Sequence, residues 1–200
     1  SITIDGTDYR ERTQLWLQSN LGYVLQTPHL FSGTIKDNIR FGKPEATDEE
    51  VKLAARLVHA EPFILAQEQG YETEIGESGA RLSTGQKQLL SFARVVLKDP
   101  RIFVLDEATS SIDTETEQLI QHAITHILKD RTSFIVAHRL STIRSADRIL
   151  VIRGGKIQES GTHEELLQQR GYYYDLYTQQ FCEDRTAESL GSTESERTNA

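Results

Sequence analysis

Apolar residues recur in two rhythms along the chain, and the change between them divides it into regions. Arg12 to Gln18 has the spacing of a short helix, and Gly22-Tyr-Val-Leu25, a compact apolar run bounded by Gly22 and Pro28, predicts a buried strand. From Thr47 to Leu97 the pattern is mostly helical. Thr47-Asp-Glu-Glu50 has the form of a capped start with acids in the first turn, and Val51, Ala54, Ala55 and Val58 recur on one face. A glycine-rich linker over 70–85 precedes a second helix, Gln86 to Leu97, and Pro100 closes the helical stretch. Ile102 to Leu105 then predicts a fully buried parallel strand.

Beyond that strand the order is regular: helix Glu115 to Leu128, strand Ser133 to Ala137, a helix from about Ser141, strand Arg148 to Ile152, a turn at Gly154-Gly155, strand Lys156 to Glu159 and helix Glu164 to Gln169. Strands alternating with helices predict an α/β fold around a mainly parallel sheet, with a helical subdomain inserted at about 47–99. The Ser/Thr/Glu-rich tail over 183–200 has almost nothing to bury and is expected to be disordered. Ser1-Ile-Thr-Ile-Asp-Gly6 predicts a strand and turn, as though the chain begins inside a domain.

Composition narrows the function classes. The 200 residues carry 22 Lys+Arg against 30 Asp+Glu, a net charge of −8, which disfavours a chain built to grip nucleic-acid phosphates or an anionic membrane. The single cysteine, Cys182, allows neither an internal disulfide nor a zinc cage. The longest apolar runs, such as Ile102-Phe-Val-Leu105, fall far below the roughly 20 residues of a spanning helix.

The candidate chemistry begins at Ile102-Phe-Val-Leu-Asp-Glu107. An apolar strand ending in two carboxylates puts both at the strand's carboxyl end, where open α/β sheets bind ligands. Adjacent strand residues face opposite sides, so Asp106 suits a bound Mg²⁺ and Glu107 an attacking water. Taken alone, the pair could equally be two acids solvating a strand end. Leu82-Ser-Thr-Gly-Gln86 stands directly before a helix. There Ser83 can cap, and Gly85 lets backbone N–H groups approach an anion closely. An ordinary helix cap explains that segment by itself; a single helix and Pro100 link it to the acid pair, which makes the combination specific.

With these residues in order, the chain resembles the nucleotide-binding domain of an ATP-binding cassette transporter of the exporter type. Gln26 matches the Q-loop glutamine, Leu82 to Gln86 the signature motif, Asp106 and Glu107 the Walker B end, Ser110-Ser-Ile-Asp113 the D-loop, and His138 the switch histidine. The resemblance covers the first residue to about Gln180, a partial cassette over 1–182. It implies a P-loop NTPase-like fold, ATP and Mg²⁺ as ligands, Glu107 as general base, and His138 beside the γ-phosphate. It further implies Gln26 and Asp106 at the metal, Ser83, Thr84, Gly85 and Gln86 on nucleotide held by a partner, and Asp113 reaching the partner's phosphate loop. Thr84 departs from the commoner glycine of the signature. That departure leaves homodimer and heterodimer both open.

Two further segments resemble exporter cassettes: Phe31-Ser-Gly-Thr-Ile-Lys-Asp-Asn-Ile39, and Thr73-Glu-Ile-Gly-Glu-Ser-Gly79 with its X-loop acid Glu77. On that resemblance Phe31 and Glu77 face the membrane domains. Without it, the segments are an apolar loop and a glycine-containing linker. His122 and His126, spaced i, i+4, lack a third metal ligand and fit an amphipathic helix better.

The Gly-x-x-x-x-Gly-Lys-Ser/Thr phosphate loop does not occur in the 200 residues. In this family it precedes the segment resembling Ser1 to Gly6. The expectation is therefore a longer polypeptide, with the Walker A loop and membrane helices upstream and this chain at the cytoplasmic face of the membrane. These residues alone are expected to be inactive. The alternative is a cassette ATPase of the DNA-repair, chromosome or translation kind. Upstream sequence separates the two, since an exporter requires about six segments of roughly 20 apolar residues each. The transported molecule, whether drug, lipid or peptide, is not encoded in these residues.

Overall fold

Asp5 and Gly6, at positive φ of 51° and 77°, turn the first residues into a hairpin of β1 (Thr3–Ile4) and β2 (Thr7–Asp8). In the computed structural model, residues 1–106, 114–129, 131–137 and 140–179 are described. They divide into two compact units, Ser1–Val136 and Ala137–Ala200.

In the first unit α1 (Gln14–Asn20), capped by Thr13, leads into β3 (Leu21–Val24). There follow α2 (Ile35–Arg40), α3 (Asp48–Leu57), α4 (Glu61–Leu65), α5 (Thr84–Lys98), β4 (Ile102–Asp106), α6 (Thr114–Leu128) and β5 (Thr132–Val136). Three of these helices start on reciprocal capping boxes, Thr34 with Asp37, Thr47 with Glu50, and Ser83 with Gln86, each pair satisfying two N–H groups the helix would otherwise leave unpaired. The linker over 70–85 is not featureless: it holds 3-10 turns at Gly70–Glu72 and Glu77–Gly79. Helix α2 stands where Phe31 to Ile39, without the resemblance, suggests an apolar loop. Its cap pairs Thr34 with an aspartate, and Ile35 and Ile39 bury one face.

Strands β3, β4 and β5 form a parallel sheet with β4 at its centre. Val24, Phe103 and Leu105 share one core with Leu89, Phe92 and Val95 of α5 and Ile120 and Ile124 of α6. Burial of β4 alternates, so the expectation of a fully buried strand is corrected: Phe103 and Leu105 are enclosed, whereas Ile102, Val104 and Asp106 are partly exposed. The face carrying Tyr23, Val104 and Phe134, level with one another in register, is the open one, with Tyr23 and Phe134 exposed.

The second unit contains α7 (Leu140–Arg144), an antiparallel pair of β6 (Ile149–Arg153) and β7 (Lys156–Gly161), and α8 (His163–Gln169). Gly154 and Gly155, at φ of 58° and 74°, make the turn the sequence predicts there. Val151, Leu166 and Tyr173 form its small core. The tail expectation over 183–200 lies outside the described residues. Among the described residues no helix is long and apolar enough to cross a membrane.

Candidate functional site

The parallel register decides where the acidic residues go. Val24 stands opposite Leu105, and Asp106 opposite Val136, so all three strands end at one edge of the sheet. Asp106 is the last residue of β4 and is partly exposed there; Gln26 follows β3 by two residues, in an exposed bend. The carboxyl edge of a parallel sheet is where ligands of open α/β folds bind. Glu107 follows Asp106 directly in sequence and His138 follows β5, but Glu107, Asp113 and His138 lie outside the described residues. The carboxylate of Asp106 and the amide oxygen of Gln26 are hard oxygen donors, a chemistry that fits Mg²⁺.

The second cluster sits at the start of α5. Ser83 Oγ accepts from the Gln86 amide at 3.2 Å, and Gln86 Oε1 accepts from the Ser83 amide at 3.0 Å. The first intrahelical bond runs from Lys87 N–H to Ser83 O at 3.0 Å. The box and this bond use the amides of Ser83, Gln86 and Lys87; those of Thr84 and Gly85 have no acceptor among the described residues. Ser83 and Thr84 are exposed and Gly85 is buried. Two unpaired amides at the positive end of a 15-residue helix suit an anion.

The two exporter-like segments, far apart in sequence, come together. Ile35 N–H donates to Thr73 O and Ile75 N–H to Gly33 O, both at 3.1 Å, with Thr34 bridged to Glu74. Leu30 packs against Gly79 so closely that a β-carbon there would lie 2.9 Å from Leu30 Cδ1. Phe31 is 39% exposed, with its ring 4.3 Å from that of Phe41 and 5.2 Å from that of His29. Glu77 is exposed on the neighbouring turn.

Two residues of α5 that motif reading missed, Arg94 and Lys98, tie these segments to the helix. Arg94 donates to the backbone oxygens of His29 at 3.0 Å and Asn38 at 2.9 Å. Lys98 donates to Gln18 O at 2.6 Å and Leu21 O at 2.9 Å, which holds the start of β3 and so the approach to Gln26; burial lowers its pKa. Gln88, 1% exposed, has both amide atoms without a hydrogen-bond partner. The Arg94 and Lys98 contacts span more than fifty positions in sequence, and no local pattern signals them. The ring of His122 packs against His59 at 5.9 Å.

A family model described as ABC transporter matches residues 1–110. Over 180 residues the chain is 49% identical to the ATP-dependent lipid A-core flippase of Desulfotalea psychrophila, covering 90% of this chain and 32% of that protein. It is 50% identical over 175 residues to a fatty acid ABC transporter ATP-binding/permease protein of Mycobacterium bovis, covering 88% of this chain and 28% of that one. A bacterial Atm1-family ABC exporter solved with ATP bound matches with a TM-score of 0.82 at 42% identity, over 89% of this chain and 31% of that chain. The chain spans about a third of the length of the relatives it matches.

Proposed function

The chain belongs to the ABC transporter family, and from that premise we propose that it supplies the ATP-hydrolysing machinery of an exporter. The observation that carries the reading is the shared carboxyl edge of β3, β4 and β5, with Asp106 at the end of the central strand and the Gln26 bend beside it. Asp106 and Gln26 would hold Mg²⁺, which would supply positive charge beside the phosphate oxygens. Glu107 accepts the proton of the attacking water, and His138 orients that water against the γ-phosphate. The Ser83 hydroxyl and the Thr84 and Gly85 amides, with Gln86 locking the turn, receive the phosphate of a nucleotide carried by a second cassette. Such donors are set in place before charge develops, so no reorganisation is needed during reaction. Asp113 reaches toward the same partner.

Glu77 and Phe31, on the paired segments over 31–39 and 73–79, receive a membrane-spanning domain, so that hydrolysis at the cytoplasmic face drives export. The relative named above as a fatty acid ABC transporter ATP-binding/permease protein supports such a partner. Since no Gly-x-x-x-x-Gly-Lys-Ser/Thr sequence occurs in these 200 residues, the lysine grip on the phosphates comes from outside them, and they hydrolyse no ATP by themselves. The test is ATP-dependent uptake of a panel of fluorescent lipids and drugs into inside-out vesicles holding the transporter. Uptake of at least one probe, lost in Glu107→Gln, is expected; uptake unaffected by Glu107→Gln contradicts the reading.

A further inference from the structure

Arg94 lies within α5, and all three of its guanidinium nitrogens donate to one segment. Nε donates to Asn38 O at 2.9 Å, Nη1 to His29 O at 3.0 Å, and Nη2 to Asn38 Oδ1 at 3.2 Å. The rings of Phe31 and Phe41 lie against the cation, with centroids at 5.3 and 5.6 Å. Asn38, 1% exposed, completes the clasp. Its Oδ1 also accepts from Phe31 N–H at 2.9 Å, and its Nδ2 donates to Phe31 O at 2.9 Å and Thr34 O at 3.0 Å. Gly42 closes the other side: a β-carbon there would collide with the backbone oxygen of Arg94.

No carboxylate among the described residues forms an ion pair with this guanidinium, and burial lowers its pKa to about 10. A half-buried cation without a counter-charge costs some stability, and apolar side chains of similar volume would join helix to loop more cheaply. An apolar contact cannot fix direction, whereas three donors in a planar fork hold the segment over 29–38 in one orientation on α5. That helix is continuous from Thr84 to Lys98. Arg94 stands eleven residues from the Ser83 cap, about 16 Å along a rigid axis.

We propose that Arg94 is a positioning residue whose three-point clasp makes the Phe31 loop and the Ser83 end of α5 move as one body. A partner that displaces Phe31 thereby resets the amides that receive nucleotide phosphate. The inference rests on the ATPase reading above and adds the side chain through which the loop reaches the helix.

Arg94→Lys keeps the charge and the aliphatic stem but offers a single point in place of the fork. In the intact transporter, with site occupancy measured by TNP-ATP titration, turnover per occupied site is expected to fall about tenfold. TNP-ATP affinity should stay within about twofold of wild type. Hydrogen exchange should quicken over 29–38 and, at a distance, over 84–87. Asn38→Asp keeps the three acceptors of Arg94 but replaces the donations to Phe31 O and Thr34 O with carboxylate–carbonyl repulsion, which releases Phe31 from the clasp; the same changes are expected there. A lower unfolding temperature with wild-type turnover per occupied site and wild-type exchange over 84–87 would mark a merely structural role and overturn the proposal. Glu107→Gln in the same preparation tests the ATPase reading separately: hydrolysis that survives it removes that reading, while the exchange measurement still decides the role of Arg94.

Discussion

Ser83 and Gln86 cap each other across the first turn of α5, hydroxyl oxygen to amide at 3.2 Å and side-chain oxygen to amide at 3.0 Å. Because the serine oxygen accepts in this box, its own proton is left to donate outward, and the turn is fixed before any anion arrives. Ser83→Ala should destabilise the protein by about 1 kcal/mol, seen as a lower urea midpoint at unchanged slope. Ser83→Thr, which can rebuild the box, should stay near wild type; equal losses in both variants would remove the cap from the account.

Gly22 sets how closely β3 approaches α5 and the turn before β4. A β-carbon on it would lie 2.5 Å from Pro100 Cγ and 3.0 Å from Val95 Cγ1, both in a packed interior. Gly22→Ala should therefore cost about 1–3 kcal/mol from overpacking. Gly6→Ala places its β-carbon with nothing within 4 Å but carries a φ of +77°, so its cost is backbone strain alone. Crystal structures of the two variants check this: Gly22→Ala is expected to shift β3 away from Pro100, and Gly6→Ala to leave every neighbour in place.

The α3 cap gives a pH dependence of known sign. Hydrogen bonds from Lys43 and Thr47 hold the Glu50 pKa down from 4.5 to about 2. A depressed folded-state value means the unfolded chain takes up this proton first, so the contribution is complete above about 4.5 and is lost as pH falls toward 2. Glu50→Gln should flatten the fall in stability across that window and change little of its slope above it. Urea midpoints collected between pH 2 and 6 measure it; parallel curves for the two proteins would contradict the assignment.

What could be read in the sequence was what depends on near neighbours. The Thr47–Glu50 and Ser83–Gln86 caps, the Gly154-Gly155 turn and the order of strands and helices follow from hydrogen bonds and periodicities a few residues long. Helix α2 escaped notice because its six residues are too few to establish a period, although Thr34 and Asp37 carry the cap. The one-sided burial of β4 was hidden for a different reason: Ile102-Phe-Val-Leu105 is apolar throughout, and only the positions of α5 and α6 decide which face is covered. Of the candidate site, Gln26 stands just past β3, Asp106 ends β4 and the Ser83 segment opens α5. The edge shared by Gln26 and Asp106, the pairing of the Phe31 and Glu77 segments, and the Arg94 and Lys98 tethers depend on strand register and on contacts between residues distant in sequence.

The role proposed for Glu107 is to activate the water that attacks ATP. Its most direct test is magnesium-dependent phosphate release by the purified transporter, wild type against Glu107→Gln, at matched nucleotide occupancy. Loss of a positioned general base predicts a fall of about a hundredfold or more with nucleotide still bound; hydrolysis by Glu107→Gln at the wild-type rate would contradict it.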